Sequence, residues 1–179
     1  MFQLISTIIA VAFIAVDQIV KNWAAEVLTK GEIAVIENVL YLKYTENTGV
    51  AFSMFSDNRW MLIGVTSVML IVVLAFFLSG KVTDKLEQFS LALMLSGGVG
   101  NLIDRISLGY VIDYIDVRII NFAIFNFADI CICVGAFLLC VAVYISDKKE
   151  EAAKKEKAKE FEEIDKDLEK LFGGENANE

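Results

Sequence analysis

The chain has 179 residues, 56% of them hydrophobic and 22% charged, with a mean hydropathy of +0.58; this excludes intrinsic disorder and argues against an ordinary soluble domain. It contains no histidine, so histidine-based triads, Cys-His pairs and histidine-ligated zinc are closed to it on its own, and acid–base chemistry falls to carboxylates, lysines and tyrosines. The formal charge of −8 divides evenly, −4 on either side of Ser146, and neither half carries the basic stripe that a nucleic-acid partner requires.

Uncharged runs at 2–16, 60–80, 88–103 and 130–146 mark the membrane spans. The second has 21 residues, enough on its own, since about 20 apolar helical residues cross the hydrocarbon core. The others reach that length by taking in a charged residue at one end: Asp17 with Lys21, Asp104 with Arg105, and Asp129. Spans are predicted near 2–21, 60–80, 88–107 and 125–146, and the complete lack of proline agrees with long unbroken helices. Residues 1–20 carry no basic n-region, so they read as a retained span in preference to a cleaved signal peptide, despite the small residues at Ala10-Val11-Ala12.

Between the first two spans, residues 32–46 are rich in β-branched and aromatic residues and partly alternate, which predicts strand structure. Gly97, Gly98 and Gly100 read as close helix packing in the bilayer. Cys131, Cys133 and Cys140 read as small apolar packing residues of the fourth span. Residues 147–172 are dominated by Ala, Glu and Lys with a narrow apolar stripe at Phe161, Ile164, Leu168 and Leu171, stopped by Gly173-Gly174; they predict a charged helix. Lysines at 81 and 85 and after Ile145 place that turn, the tail and both termini in the cytoplasm, and the connections 22–59 and about 108–124 outside. The fold expected is an all-α membrane protein: a four-helix transmembrane bundle over residues 1–146 with a small extraplasmic β segment, followed by a cytoplasmic C-terminal helix in 147–179.

The chemistry is less generic than the frame. A dinucleotide fingerprint fails because Ile103 stands where glycine is needed, no Walker-type motif occurs, and Asn101 occupies the aspartate position of a Gly-x-Gly-Asp protease motif. What remains is a set of acids at the outer boundary: Asp17, Asp104, Asp113, Asp116 and Asp129. An aspartate at a helix centre costs about 2.5–3.5 kcal/mol on insertion scales, and less near the interface, so the set calls for a reason. Asp116 is explained as a solvated loop acid beside Arg118. Asp104 with Arg105 reads equally as a structural ion pair or as part of a site. Asp129 stands near the start of the fourth helix among aromatic residues with no adjacent cation, and resists ionisation unless a partner helps.

Five blocks in order, Asp17-Gln18-Ile19-Val20-Lys21, Asn47-Thr48-Gly49-Val50-Ala51-Phe52-Ser53, Gly100-Asn101-Leu102-Ile103-Asp104-Arg105, Gly109-Tyr110-Val111-Ile112-Asp113-Tyr114 and Phe125-Asn126-Phe127-Ala128-Asp129, resemble the signature of lipoprotein signal peptidase (signal peptidase II). The resemblance implies an aspartic endopeptidase of the bacterial cytoplasmic membrane whose catalytic pair is Asp113 and Asp129. It also implies that Asp17, Lys21, Asn47, Gly49, Asn101, Asp104, Arg105 and Asn126 bind substrate or support the dyad, with Arg105 a donor to substrate carbonyls. The substrates implied are diacylglyceryl-modified prolipoproteins cut just before the lipidated cysteine, their acyl chains accepted by apolar surface between the helices, with membrane lipid as the other expected partner. No metal or other cofactor is implied, and a monomer is expected. Two carboxylates about 3 Å apart cannot both ionise cheaply, so such a pair shares one proton. A carrier or proton channel would instead place charges near mid-span with inverted repeats. A noncatalytic assembly factor would tolerate asparagine at both positions.

Overall fold

The computed structural model describes residues 2–49, 58–120 and 122–172. Its elements run α1 (Phe2–Val27), β1 (Ile33–Ile36), β2 (Leu40–Asn47), α2 (Arg59–Leu78), α3 (Lys85–Ser107), β3 (Val111–Val117) and α4 (Phe127–Phe172), with single 3-10 turns at Leu28–Lys30 and Arg118–Ile120. Three helical stretches, Phe2–Lys30, Arg59–Leu78 and Phe127–Lys159, are long and apolar enough to cross a membrane. The chain divides into two units, Met1–Leu139 and Cys140–Glu179.

The first unit is apolar outside and polar within. Large apolar side chains of α1 and α2, among them Leu4, Ile8, Val65, Met69 and Phe76, are exposed, while Ser6, Asp17, Lys21, Ser90, Ser96, Asn101, Asp104 and Arg105 are buried. This inversion is what a hydrocarbon solvent selects, because polar groups then find partners only inside the protein. α3 is the central helix of this unit, with eleven buried residues against four in α1 and two in α2. The uncharged runs put it on the same footing as the other spans, yet it lies outside the three apolar stretches because its buried face is polar.

Close approach to α3 is made possible by glycine. A Cβ on Gly97 would collide with the Ala128 carbonyl of α4, one on Gly98 would stand 2.6 Å from Leu70 Cδ2 of α2, and one on Gly100 would stand 2.5 Å from Asp17 Oδ2 of α1. Asp84 caps the start of α3, its carboxylate accepting from Leu86 N at 2.8 Å and Glu87 N at 3.2 Å. The expected end of the first helix near residue 21 is corrected: α1 continues to Val27, because Lys21 is buried and paired and does not mark a wet terminus.

The strands form one antiparallel sheet in the order β1-β2-β3. The sequence predicts extended structure only near 32–46 and a plain connection over 108–124; β3 is the correction, and the class is mostly helical with a three-stranded sheet. β2 and β3 pair with Thr45 opposite Asp113 and Asn47 opposite Val111. Asn47 and Asp113 are therefore diagonal neighbours on one face of the sheet. Chain connectivity puts the sheet at the C-terminal ends of α1 and α3 and the N-terminal ends of α2 and α4. There Ile112 and Tyr114 of β3 pack with Ala24 and Leu28.

In the second unit α4 continues without a break through Phe172, so the predicted tail helix is the prolongation of the fourth apolar one. Pairs of Glu150 with Lys154 at 2.6 Å, Glu151 with Lys155 at 2.7 Å and Glu162 with Lys166 at 2.8 Å follow the favourable order, with the acid on the N-terminal side. Phe161 and Ile164 of the expected apolar stripe are exposed; the side chains of Leu168 and Leu171, and Gly173-Gly174, lie outside what is described. Residues 50–53 of the second sequence block also lie outside the described residues.

Candidate functional site

Lys21 is the hub of a buried polar cluster. Its Nζ lies 2.9 Å from Asp17 Oδ2 and 2.9 Å from Asp104 Oδ2, and donates to Asn101 Oδ1 at 2.8 Å. An ammonium has three protons, and here each has a partner. The cluster tightens further through Gln18 Nε2, which donates to Asp104 Oδ1 at 3.0 Å, and through Ile112 N, which donates to Asp104 Oδ2 at 3.2 Å. Adjacency in the sequence suggests Asp104 with Arg105 as an ion pair. The salt bridge that forms is with Lys21, while Arg105, on the next helical position, donates through Nη2 to the Gly49 carbonyl at 3.1 Å.

From this cluster the hydrogen bonds run to two carboxylates. Asp113 accepts from Asn47 Nδ2 at 2.8 Å and from Asn126 Nδ2 at 2.6 Å. Asp129 accepts from Asn101 Nδ2 at 2.8 Å and from Asn126 N at 3.1 Å. The orientation of the amides is fixed by groups that have no choice. Asp129 N donates to Asn126 Oδ1 at 3.0 Å, so the NH2 of Asn126 must face Asp113 and Asn101 Oδ1. Asn101 then has its oxygen held by Lys21 and Asn126, and its NH2 turns to Asp129.

The start of α4 explains why Asp129 sits where it does. The four N–H groups at a helix start have no partner within the helix. In α4 they are met by Asp129 Oδ2 for the cap residue's own Asn126 N at 3.1 Å, Tyr114 OH for Phe127 N at 3.3 Å, Asp17 Oδ1 for Ala128 N at 3.1 Å, and Asn126 Oδ1 for Asp129 N. Asn126 and Asp129 make a reciprocal capping box. Just upstream, Phe125 pairs with Ile115 of β3, its carbonyl accepting from Ile115 N at 2.8 Å, which brings the start of α4 beside the strand that carries Asp113. Burial pushes the Tyr114 hydroxyl up to about 12, so it serves as a neutral group.

Asp113 and Asp129 line one cavity of about 350 Å³ together with Asn47, Asn101 and Arg105. Most of the remaining lining is apolar or small, with Gly98, Ile132, Cys133 and Phe125 among it. Arg105 Nε is buried there with no partner among the described residues. Asp113 itself is 2% exposed, and burial, reinforced by the nearby Asp129 charge, pushes its carboxyl up to about 6 although the Asn47 and Asn126 amides favour the anion.

The predicted residues Asp17, Lys21, Asn47, Gly49, Asn101, Asp104, Arg105, Asp113, Asn126 and Asp129 thus form one connected network. Asp116 does not join it. It lies on β3 and not in a loop, accepts from Arg118 Nε at 2.8 Å, and is three residues from Asp113, hence on the opposite face of the strand. Three members are missed by sequence reasoning: Gln18 and Tyr114, named above, and Arg59, whose Nε donates to the Arg105 carbonyl at 2.8 Å. Gln18 and Tyr114 stand inside recognised blocks; Arg59 has no local signal, since its partners are main-chain groups far along the chain.

Comparison with known proteins places this geometry. The family described as Signal peptidase (SPase) II matches residues 9–145. The lipoprotein signal peptidase of Nostoc sp. is 43% identical over 138 residues, covering 73% of this chain and 85% of that protein. That of Lactococcus lactis subsp. lactis is 41% identical over 150 residues, covering 83% of this chain and 99% of its own. A solved structure described as a bacterial membrane enzyme, determined by the in meso method at 2.3 Å resolution, superposes with a TM-score of 0.72 at 30% identity, covering 80% of this chain and 90% of that one. Matched from its first helix into its fourth, across both elements that carry the paired carboxylates, the chain belongs to the signal peptidase II family.

Proposed function

We propose that the chain is an intramembrane aspartic endopeptidase that removes the signal peptide of diacylglyceryl-modified prolipoproteins, cutting just before the lipidated cysteine. The observation that carries this reading is the pair Asp113 and Asp129, two carboxylates lining one cavity, the first held by two side-chain amides, the second by an amide and a main-chain N–H, and neither salt-bridged among the described residues. The names of the Nostoc and Lactococcus relatives support the substrate class.

Charge within the cluster favours a singly protonated dyad. Asp17, Asp104, Asp113 and Asp129 oppose Lys21 and Arg105, so one retained proton halves the excess of negative charge. Asp129, the less buried of the two, is the base; Asp113, more deeply buried, holds the proton. Asp129 takes a proton from water as the water oxygen attacks the scissile carbonyl carbon, and Asp113 gives its proton to the carbonyl oxygen. In collapse of the resulting diol, Asp129 passes its proton to the departing amine of the lipidated cysteine, Asp113 recovers one from a diol hydroxyl, and the C–N bond breaks. Arg105 and the asparagines hold the substrate backbone and the dyad; neither histidine nor metal is required.

The test is cleavage of a diacylglyceryl-cysteine peptide by the purified protein, with the same peptide lacking the acyl chains as comparison. The lipidated peptide is expected to be cut before cysteine, and the bare one to lose most of its kcat/KM, since each buried CH₂ contributes about 0.8 kcal/mol. Equal rates on both would overturn the substrate assignment. The pH profile of kcat/KM is expected to be bell-shaped, reporting titrations that belong to the pair. Its alkaline limb is expected to fall as pH rises through about 6, where the pair gives up its retained proton; a limb near the ordinary carboxylate range would contradict a proton retained through burial. The same shift has a stability consequence. The folded state keeps a proton that the unfolded chain, with its ordinary value of 3.8, releases, so this contribution to stability is fully present below pH 3.8 and is lost progressively as pH rises from there through about 6.

In this reading α1 to α4 are four spans, residues 1–146 are the peptidase domain, the sheet faces outward, and both termini with the tail 147–179 are cytoplasmic. Single cysteines introduced at Leu40 and Lys155 are expected to react with a membrane-impermeant reagent from the outside and the inside respectively, and the opposite pattern would overturn the orientation.

A further inference from the structure

Arg59 opens α2 and ends on α3. Its Nε donates to the Arg105 carbonyl at 2.8 Å and its Nη2 to the Ile106 carbonyl at 2.6 Å. Both carbonyls belong to the last turn of α3, where the helix offers no internal donors and its dipole favours a cation. The guanidinium also lies over Gly109, where an added Cβ would stand 3.3 Å from Nη1, and Gly109 has a φ of +95° that favours glycine. One planar group therefore grips the last turn of α3 and the bend that leads into β3, four residues ahead of Asp113. The same end of α3 buries Asn101, Asp104 and Arg105. Arg105 is held at both ends: its carbonyl by Arg59 and its guanidinium by the Gly49 carbonyl at 3.1 Å.

We infer that Arg59 is a positioning residue for the proposed hydrolysis, acting through Arg105: by fixing the main chain at Arg105 and the Gly109 bend, it sets where the Arg105 guanidinium enters the cavity beside the two carboxylates. This rests on the reading of Asp113 and Asp129 as the hydrolytic pair. Arg59 touches neither carboxylate in any described contact, and its two hydrogen bonds require a fork, which lysine lacks.

The experiment is a double-mutant cycle on the full-length protein with the diacylglyceryl-cysteine peptide. Arg59→Gln is expected to lower kcat/KM about tenfold, equal to about 1.4 kcal/mol in barrier, and Arg59→Lys, which keeps the charge and one donor, by a smaller factor. Placed on Arg105→Lys, the Arg59→Gln change is expected to cost less than about a further twofold, the non-additivity of residues acting through one another. If Arg105→Lys cuts too slowly to follow, the cycle is read on the dissociation constant of the peptide. Should Arg59→Gln fail to fold, Arg59→Lys takes its place in the cycle. Additive losses, or no loss in an active protein, would overturn the role assigned to Arg59 and leave the dyad untouched. A wild-type protein that binds but does not cut the peptide would overturn the hydrolytic reading, and the role of Arg59 in hydrolysis with it.

Discussion

Asp113→Asn and Asp129→Asn are each expected to lower cleavage by about 10²–10⁴-fold or more, the range of a lost general acid or base. Each amide is nearly isosteric with the carboxyl it replaces but neither takes a proton from water nor relays one. Neither variant is structurally neutral. Asp113 accepts from two amide groups, at Asn47 and Asn126, so an amide at 113 turns its own NH2 toward one of them, leaving a donor facing a donor. That costs about 1–3 kcal/mol of stability. At 129 the same conflict arises with Asn101 Nδ2 or Asn126 N. Folding of both variants is therefore checked by thermal unfolding before rates are compared. Asp116→Asn, whose carboxylate pairs with Arg118 on the other face of β3, is the control and is expected to cut at close to the wild-type rate. Retention of more than about a tenth of the activity by either dyad variant, a barrier change under about 1.4 kcal/mol, would show that the carboxylate is not catalytic.

Lys21→Met carries the largest expected effect on stability. The lysine side chain is buried, as are those of Asp17 and Asp104, and its removal leaves two carboxylates and the Asn101 oxygen without their common donor. Breaking a buried ion cluster from one side costs about 3–5 kcal/mol, because what remains is an uncompensated charge. Activity is expected to fall with it, since Asn101 loses the group that turns its NH2 toward Asp129. Adding Asp104→Asn to Lys21→Met removes one stranded charge and is expected to recover part of the stability without recovering the rate. Unfolding midpoints that differ by less than the equivalent of about 1 kcal/mol would mean that the cluster does not depend on its cation as burial implies.

How much of the fold and the site is legible in the sequence depends on whether a residue's role is local. Uncharged runs locate the helices, and five short blocks gather the residues that the structure joins in one network. The boundaries fail where charge is misread as exposure. Asp17 and Lys21 look like the wet end of α1, yet Lys21 is neutralised by partners 83 and 4 residues away, Asp104 and Asp17, and the helix runs past it to Val27. β3, Val-Ile-Asp-Tyr-Ile-Asp-Val, is rich in β-branched and aromatic residues, but its aspartates stand three apart, break the period-two alternation of a half-buried strand and draw attention to chemistry instead. Arg59 and Tyr114 serve main-chain groups of distant helix ends, and no spacing along the chain announces such a contact.

The glycines of α3 and α4 also constrain how this protein can be made more robust. Replacing a helical glycine by alanine ordinarily gains about 0.5–1 kcal/mol by restricting the unfolded chain. That route is closed at Gly97 and Gly135, where the new methyl would meet main-chain oxygens of a neighbouring helix, and at Gly100, where it would meet the salt-bridged Asp17 carboxylate; at Gly98 it meets only the end of the Leu70 side chain. It is open at Gly64 of α2, where an added Cβ meets nothing within 4 Å. Engineering for durability therefore begins on the outermost face of α2, leaving the helix that carries the network as it is.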